Sequence, residues 1–477
     1  MGSTSFEFLG FALAAVAAFR LSSSPVWRRS VFLIANLVFL GSFVGGPWSL
    51  VPLAAFLGFG YAGVALIRRA PARSFLPILA ATIAAFVWLK KYAFVPGAWF
   101  LPVAYVTVGL SYILFRLLHL MIDTRSGNLP ARVGVVSYLN YTLNFTTLVS
   151  GPIQPYQEFE KMSGAAAPPL NIFTTAAAVE RIVIGLFKAN VAALLLSTYH
   201  TRAIAALASP EPAVWRVAHA AMIVVYYPFF LYCNFSGYID IVIGIGRLLG
   251  LTLPENFNRP FAADNFITFW NCWHMTLSNW LKTYVYNPLL MSLMRRFPAR
   301  GLETTWLAVA LFVTFFLVGV WHGQTSEFLF FGFLQGFSVS TNRMWQIAMA
   351  KRLGNKRFKA LSARPWYVAT ARGFTFTWFS FTLLWFWSNW GQLRSFQAAL
   401  SVGQECALWL AMFAAATALL AGWESLRRRM AGFHWDGAPV TQSQYWRVAQ
   451  GAAAVTIVLL LTLLMNQRAP EIVYKAF

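Results

Sequence analysis

Apolar runs near the length that carries an α-helix across a bilayer, roughly 20 residues, recur along the chain with short polar interruptions. They cover residues 5–19, 31–46, 50–67, 75–95, 99–120, 134–150, 214–232, 305–320, 328–345, 374–390, 404–424 and 447–466. Three further segments, 172–199, 235–250 and 266–294, carry more polar residues and are expected to lie inside the bundle or to re-enter. The pattern predicts an all-α polytopic membrane protein with roughly 11 to 14 membrane helices. No polar stretch is long enough for a separate soluble domain. The longest, Asn342 to Arg372, is rich in Lys and Arg and predicts a basic cytoplasmic loop with an amphipathic interfacial helix. No internal repeat is evident, and only Gly164 to Pro169 is low in complexity.

Composition agrees with this pattern. Of 477 residues, 58% are hydrophobic and 11% charged, against roughly 25% charged in an average soluble domain. The 44 phenylalanines and 20 tryptophans suit a surface that meets lipid tails with Phe and headgroups with Trp.

Lys plus Arg outnumber Asp plus Glu by 37 to 15, a net charge of +22. Loops obeying the positive-inside rule account for most of this excess. The remainder would attract anionic lipid or an acidic carrier protein delivering substrate at the cytoplasmic face. Nucleic-acid binding is disfavoured, because the basic residues sit between apolar spans and form no aromatic-interleaved patch. Cys233, Cys272 and Cys406 show neither C-x-x-C spacing nor a disulfide framework. No metal site is expected, because the 15 acidic residues are scattered.

The charges also order the segments. Arg20, Arg28 and Arg29 follow the first span and no basic residue precedes it, which reads as a retained anchor with the N-terminus outside. Arg68, Arg69 and Arg73, then Arg295, Arg296 and Arg300, then Lys351 to Arg372, then Arg427 to Arg429 fall on the inner side. Trp321-His322-Gly323 and the C-terminal Asn466 to Phe477 then lie towards the outer side.

Ionisable groups within apolar segments are costly and point to function, and six histidines are available. His200, His219 and His434 stand near segment ends, where an interfacial histidine is ordinary. His119 lies beside Asp123 and reads most simply as half of a local ion pair. His274 belongs to Phe269-Trp270-Asn271-Cys272-Trp273-His274-Met275-Thr276-Leu277-Ser278-Asn279-Trp280-Leu281-Lys282, where Asn271, His274, Ser278 and Lys282 recur at helical spacing. A polar stripe there predicts a water-filled cavity or substrate tunnel; a structural hydrogen-bond network between helices is the competing account. His322 follows the apolar run from Trp306 to Val318 between Gly319 and Gly323, where small residues would let a substrate chain approach closely. A neutral imidazole there can take a proton from a hydroxyl and return it to a leaving group. No G-x-S-x-G elbow, P-loop or dinucleotide fingerprint occurs.

Taken together, these stretches resemble the membrane-bound O-acyltransferase family. The resemblance is to the bacterial branch that holds the alginate O-acetyltransferase membrane component and the D-alanyl-transfer protein of teichoic acid. It runs in order through Gly109-Leu110-Ser111-Tyr112 to Asp123, Ser150-Gly151-Pro152-Ile153, Glu180-Arg181 to Lys188, and Phe235 to Arg247. It continues through Pro254 to Phe261 and Phe269 to Tyr286, and ends at Gly319 to Gly336.

The resemblance implies a ring of tilted helices around a thin centre, with a substrate tunnel from the cytoplasm meeting a funnel from outside. It divides the chain into N-terminal membrane helices (1–98), an acyltransferase core (99–345), a basic cytoplasmic loop (346–373) and C-terminal membrane helices (374–477). It assigns His322 as the catalytic residue and His274 as a second essential one. Trp321, Asn271, Trp273, Ser278, Asn279 and Lys282 become substrate-binding candidates. Lys282-Thr283-Tyr284 stands where the family often has Arg-Asp-Tyr, so a bidentate contact is lost. Asn271-Cys272 replaces a commonly basic pair.

The implied reaction takes an acyl group (acetyl, D-alanyl or similar) from a cytoplasmic thioester, on carrier-protein phosphopantetheine or acyl-CoA, with no bound cofactor. The acceptor is a hydroxyl of a cell-envelope polysaccharide or partner protein, and the setting is the bacterial inner membrane. His322 would be the base, while His274, Ser278 and Lys282 orient the thioester carbonyl or stabilise its oxyanion. A transporter or flippase with an intramembrane histidine relay is the main alternative, although the two-fold repeat common in transporters is absent.

Overall fold

The computed structural model describes the chain except residues 1, 3, 131, 165–167, 210–211, 299–300, 436–437, 440–442, 466–469 and 471–477. The outward placement of Asn466 to Phe477 therefore lies, Pro470 apart, outside the described residues, as do Arg300 and the middle of the Gly164 to Pro169 stretch. The fold is helical, at 79% of the described residues. His434–Trp435 and Ala438–Pro439 add a two-residue antiparallel ladder.

Among the described residues, six helical stretches are long and apolar enough to cross a membrane: Pro47–Arg69, Pro71–Leu89, Ile172–Leu207, Ala213–Leu249, Glu303–His322 and Val402–Gly432. Within Val402–Gly432 only 17% of the apolar window is buried, and Leu410, Leu419 and Trp423 are exposed. Such an apolar outer surface belongs against lipid, which makes the chain a multi-pass membrane protein.

The chain divides into two compact units. The first comprises Met1–Leu186 and Phe235–Glu255. Its helices are α1 (Phe6–Arg20), α2 (Pro25–Gly41), α3 (Val51–Arg69), α4 (Pro71–Leu89), α5 (Leu110–Arg125), α6 (Val135–Thr142), α7 (Tyr156–Gly164) and α8 (Ile172–Leu186). The first two have 15 and 17 residues, about 22 and 26 Å at 1.5 Å per residue.

Two expected spans take another form. The 99–120 run becomes helical only at Leu110. The 134–150 run gives the eight-residue α6 and then non-helical backbone to Pro155, buried almost throughout. Backbone of that kind is tolerated at membrane depth only where protein satisfies it, and Arg116 of α5 does so. Its guanidinium, 3% exposed, donates to Thr142 O at 2.6 Å, Thr147 O at 3.0 Å and Thr147 Oγ1 at 2.6 Å. Hydropathy registered these residues as apolar, but the bonds that end the helix come from an arginine 26 residues earlier.

The second unit comprises Phe187–Asn234 and Asn256–Pro470. It holds α9 (Ala193–Leu207) and the first part of the 37-residue α10 (Ala213–Leu249). Next come α11 (Phe266–Cys272), α12 (Met275–Leu281), α13 (Asn287–Arg296), α14 (Glu303–His322) and α15 (Ser326–Leu353). It continues through α16 (Asn355–Ser362), α17 (Pro365–Thr382), α18 (Leu384–Trp387), α19 (Trp390–Ala398), α20 (Val402–Gly432) and α21 (Gln444–Met465). The expected basic loop is thus helical for most of its length, and α16 is its short amphipathic piece, with Lys356, Arg357 and Lys359 exposed.

Glycines set the closest packing of this unit. A methyl group on Gly319 of α14 would collide with Phe328 O and the backbone of Gly332 on α15. One on Gly336 would stand 2.6 Å from Phe312 O. The two backbones touch directly, as small residues allow between membrane helices. The glycines beside His322 were expected to admit substrate. Gly319 instead admits α15, and a side chain on Gly323 would collide with the Phe328 ring.

Gly332→Val should force α14 and α15 apart and cost about 1–3 kcal/mol or more, read as a lowered thermal midpoint of purified protein in detergent. Gly422→Ala in α20, where nothing lies within 4 Å, should keep or raise the midpoint, since alanine favours the helix by roughly 0.5–1 kcal/mol.

Candidate functional site

The second unit brings His274 and His322 together although 48 positions separate them in the sequence. His322 is the last residue of α14 and is 2% exposed. His274 is fully buried. Trp321 joins them, with its ring centroid 6.1 Å from that of His274 and 4.6 Å from that of His322. Phe386 of α18 and Phe331 of α15 wall the His322 ring at 5.0 and 6.0 Å. Two groups able to move a proton are thus buried among aromatic side chains.

The backbone at His274 departs from the expected continuous helix. α11 ends at Cys272, His274 adopts φ 44° and ψ 51° in the left-handed region, and α12 starts at Met275. Such a conformation costs a non-glycine residue roughly 1–2 kcal/mol, so something must hold it. The holder is the extended segment Asn256 to Asn258. Asn258 N donates to Cys272 O at 2.9 Å and Met275 N to Asn256 O at 3.0 Å, and Phe257 pairs with Trp273 in an antiparallel bridge. Asn256 then reaches the ring itself, with Oδ1 3.2 Å from His274 Nδ1. Sequence reasoning missed Asn256. Its only signal was its place in the Pro254 to Phe261 stretch, which carries no metal, charge or periodic cue.

The break redistributes the remaining candidates. Asn271, Asn279 and Lys282 are exposed, and Lys282 opens a π-helical turn, Lys282–Tyr286. Ser278 is half-buried, and its hydroxyl donates to Trp273 O at 3.4 Å. Trp273 is 2% exposed and packs against Phe257, Phe269 and Phe379 at 5.1, 5.7 and 5.4 Å. The single polar face predicted for Asn271, His274, Ser278 and Lys282 is thus divided at His274. Periodicity assumes an unbroken helix, and this one is broken by pairing with a segment outside it.

A cavity of about 620 Å³ also lies in this unit, lined among others by Asn265, Phe266, Asn342, Trp345, Phe374 and Trp378. None of the eight candidate residues lines it.

The other histidines have local roles. In the first unit His119 stands 3.8 Å from Asp123, the expected pair, and its Nε2 accepts from Tyr156 N at 3.0 Å at the start of α7. His200 is more buried than a segment end implied, with its ring 4.6 Å from Trp387 and 5.4 Å from Tyr227. His219 stacks with Trp215 at 6.5 Å. The exposed His434 meets Gly432 O through Nδ1 at 3.1 Å.

Both central histidines fall within a stretch that matches a known family. The sequence model of the membrane-bound O-acyltransferase family covers residues 105–385, and the chain belongs to that family. It is 26% identical to the teichoic acid D-alanyltransferase of Bacillus subtilis (strain 168) over 279 residues, 56% of this chain and 65% of that protein. It is 26% identical over 340 residues to a protein named "Probable alginate O-acetylase AlgI" from Pseudomonas fluorescens, covering 70% of this chain and 62% of that one. The peptidoglycan O-acetyltransferase of Helicobacter pylori (strain ATCC 700392 / 26695) is 34% identical over 220 residues, 45% of this chain and 39% of that protein. In each case the match spans less than two thirds of the relative's length.

Trp321→Ala should open a void between the two imidazoles and cost about 3–5 kcal/mol, whereas Trp321→Phe should cost less than half of that; denaturation midpoints of both variants in one detergent provide the comparison.

Proposed function

We propose that this chain is a membrane O-acyltransferase that moves an acyl group, acetyl, D-alanyl or similar, from a cytoplasmic thioester to a hydroxyl of an extracytoplasmic acceptor. The observation that carries this reading is the pair of buried histidines meeting across Trp321 within the family-matched stretch. The acceptor class rests on the relatives, whose names refer to teichoic acid, alginate and peptidoglycan; a hydroxyl on such a polymer or on a partner protein fits. The positive-inside pattern puts Lys351 to Arg372 in the cytoplasm. The exposed Lys356, Arg357 and Lys359 of α16 would there attract an acidic carrier protein. Phe358 and Ser362 of the same helix line the 620 Å³ cavity, which would give the donor room next to these basic residues. A ring of roughly 11 to 14 membrane segments around a thin, tunnelled centre would let donor and acceptor meet.

In the reaction, neutral His322 takes the proton of the acceptor hydroxyl as its oxygen attacks the thioester carbonyl carbon. The carbonyl π pair moves onto oxygen. Collapse re-forms C=O and breaks the C–S bond, and the thiolate leaves with the proton returned from His322. One thioester and one alcohol become one ester and one thiol. Exclusion of water by Trp321, Phe331 and Phe386 limits hydrolysis of the thioester. Exposed Lys282 and Asn279, with half-buried Ser278, would make their contacts outside the buried histidine pair.

His322→Ala should abolish transfer of labelled acyl groups from a thioester in membranes while leaving expression intact. Full transfer by that variant would sink the assignment. Purified protein that moved lipid or glycan across vesicles without consuming thioester would favour the transporter reading.

A further inference from the structure

Asn256 is fully buried, and its Oδ1 is the meeting point of three donors: His274 Nδ1 at 3.2 Å, Thr276 N at 3.1 Å and Thr276 Oγ1 at 2.9 Å. A backbone N–H can only donate, so the atom facing Thr276 N must be the amide oxygen. Reversing the amide would set its NH2 against that N–H. With the oxygen so fixed, a neutral His274 ring must carry its proton on Nδ1 to bond it, and its lone pair then lies on Nε2.

The orientation is held at a cost. Asn256 Nδ2 is buried and has no hydrogen-bond partner among the described residues, so one donor is left unsatisfied to keep the oxygen in place. The backbone holds the same residue, since Asn256 O accepts from Met275 N and Asn258 N donates to Cys272 O on either side of His274.

We propose that Asn256 is a positioning residue: it fixes His274 as the Nδ1–H tautomer and so makes Nε2 the acceptor nitrogen of that ring in the acyl-transfer site. This rests on the acyltransferase reading for its consequence, though not for its geometry. The same arrangement serves the triads of hydrolases, where a partner on one imidazole nitrogen decides what the other can do and a wrong tautomer costs up to about 10⁴ in kcat.

The test compares two isosteric variants. Asn256→Leu removes the acceptor and should lower kcat by roughly 10²–10⁴ with KM little changed. Asn256→Asp keeps an acceptor for all three donors and should restore much of that kcat. Its carboxylate also favours the imidazolium form of His274, which has no lone pair, so the acid limb of the pH profile should move up by about one unit or more. A purely structural role would not move that limb.

A readout independent of activity is the histidine ¹⁵N spectrum of the full-length protein in detergent, with the His274 signals assigned by their loss in His274→Gln. Nδ1 should be protonated in wild type and in Asn256→Asp. An Nε2–H tautomer in wild type, an unmoved acid limb in Asn256→Asp, or unchanged kcat in Asn256→Leu would each overturn the proposal. Should Asn256→Leu fail to fold, the aspartate variant and the spectrum decide. Wild-type protein that transfers no acyl group from any thioester would instead remove the functional reading, with the spectrum still judging the tautomer.

Discussion

The two main-chain hydrogen bonds that tie Asn256 and Asn258 to Met275 and Cys272 are what the site depends on. Without them the run from Phe266 to Leu281 would continue as one helix, and His274 would turn on that helix with Asn271 and Ser278. With them, the chain breaks for one residue and His274 is held in the left-handed region, inside the protein and against Trp321. The short separation of α14 and α15 does the complementary work. Because Gly319 and Gly332 meet backbone to backbone, His322 ends its helix within reach of Phe331 and Phe386. One histidine is placed by a clasp and the other by close helix packing.

Much of this was legible in the sequence, and the limits have physical causes. Hydropathy alone identified a multi-pass membrane protein, because no soluble fold hides so much apolar surface. Burial cost singled out His274 and His322 from six histidines, and family resemblance gave the class. The stripe through Asn271, Ser278 and Lys282 misled, because a period of 3.6 holds only while the helix is unbroken. The agent of the break lies 18 residues upstream of His274. Residues 134–150 misled in the same manner: their apolar character was read correctly, but the arginine that takes over their backbone carbonyls sits in another helix. Gly319 and Gly323 were recognised as positions needing room, while what filled the room was the next helix and not a ligand.

Asn256 shows the general form of the gap. Ionisable residues announce themselves in an apolar sequence because their burial is expensive. A neutral amide gives no such signal, yet three donors converge on its oxygen. Groups that act through another residue are therefore the ones that a sequence conceals best.

The clasp also bears on how the protein is made. An apolar helix can leave the insertion machinery and rest in lipid, because its backbone bonds are internal to the segment. The stretch from Asn256 to Met275 is not held in that way, since its bonds join two pieces of chain with α11 between them. That pairing can form only once both pieces have left the machinery and met. A chain still maturing in the membrane can therefore have the internal bonds of each helix before it has the pairing that places His274.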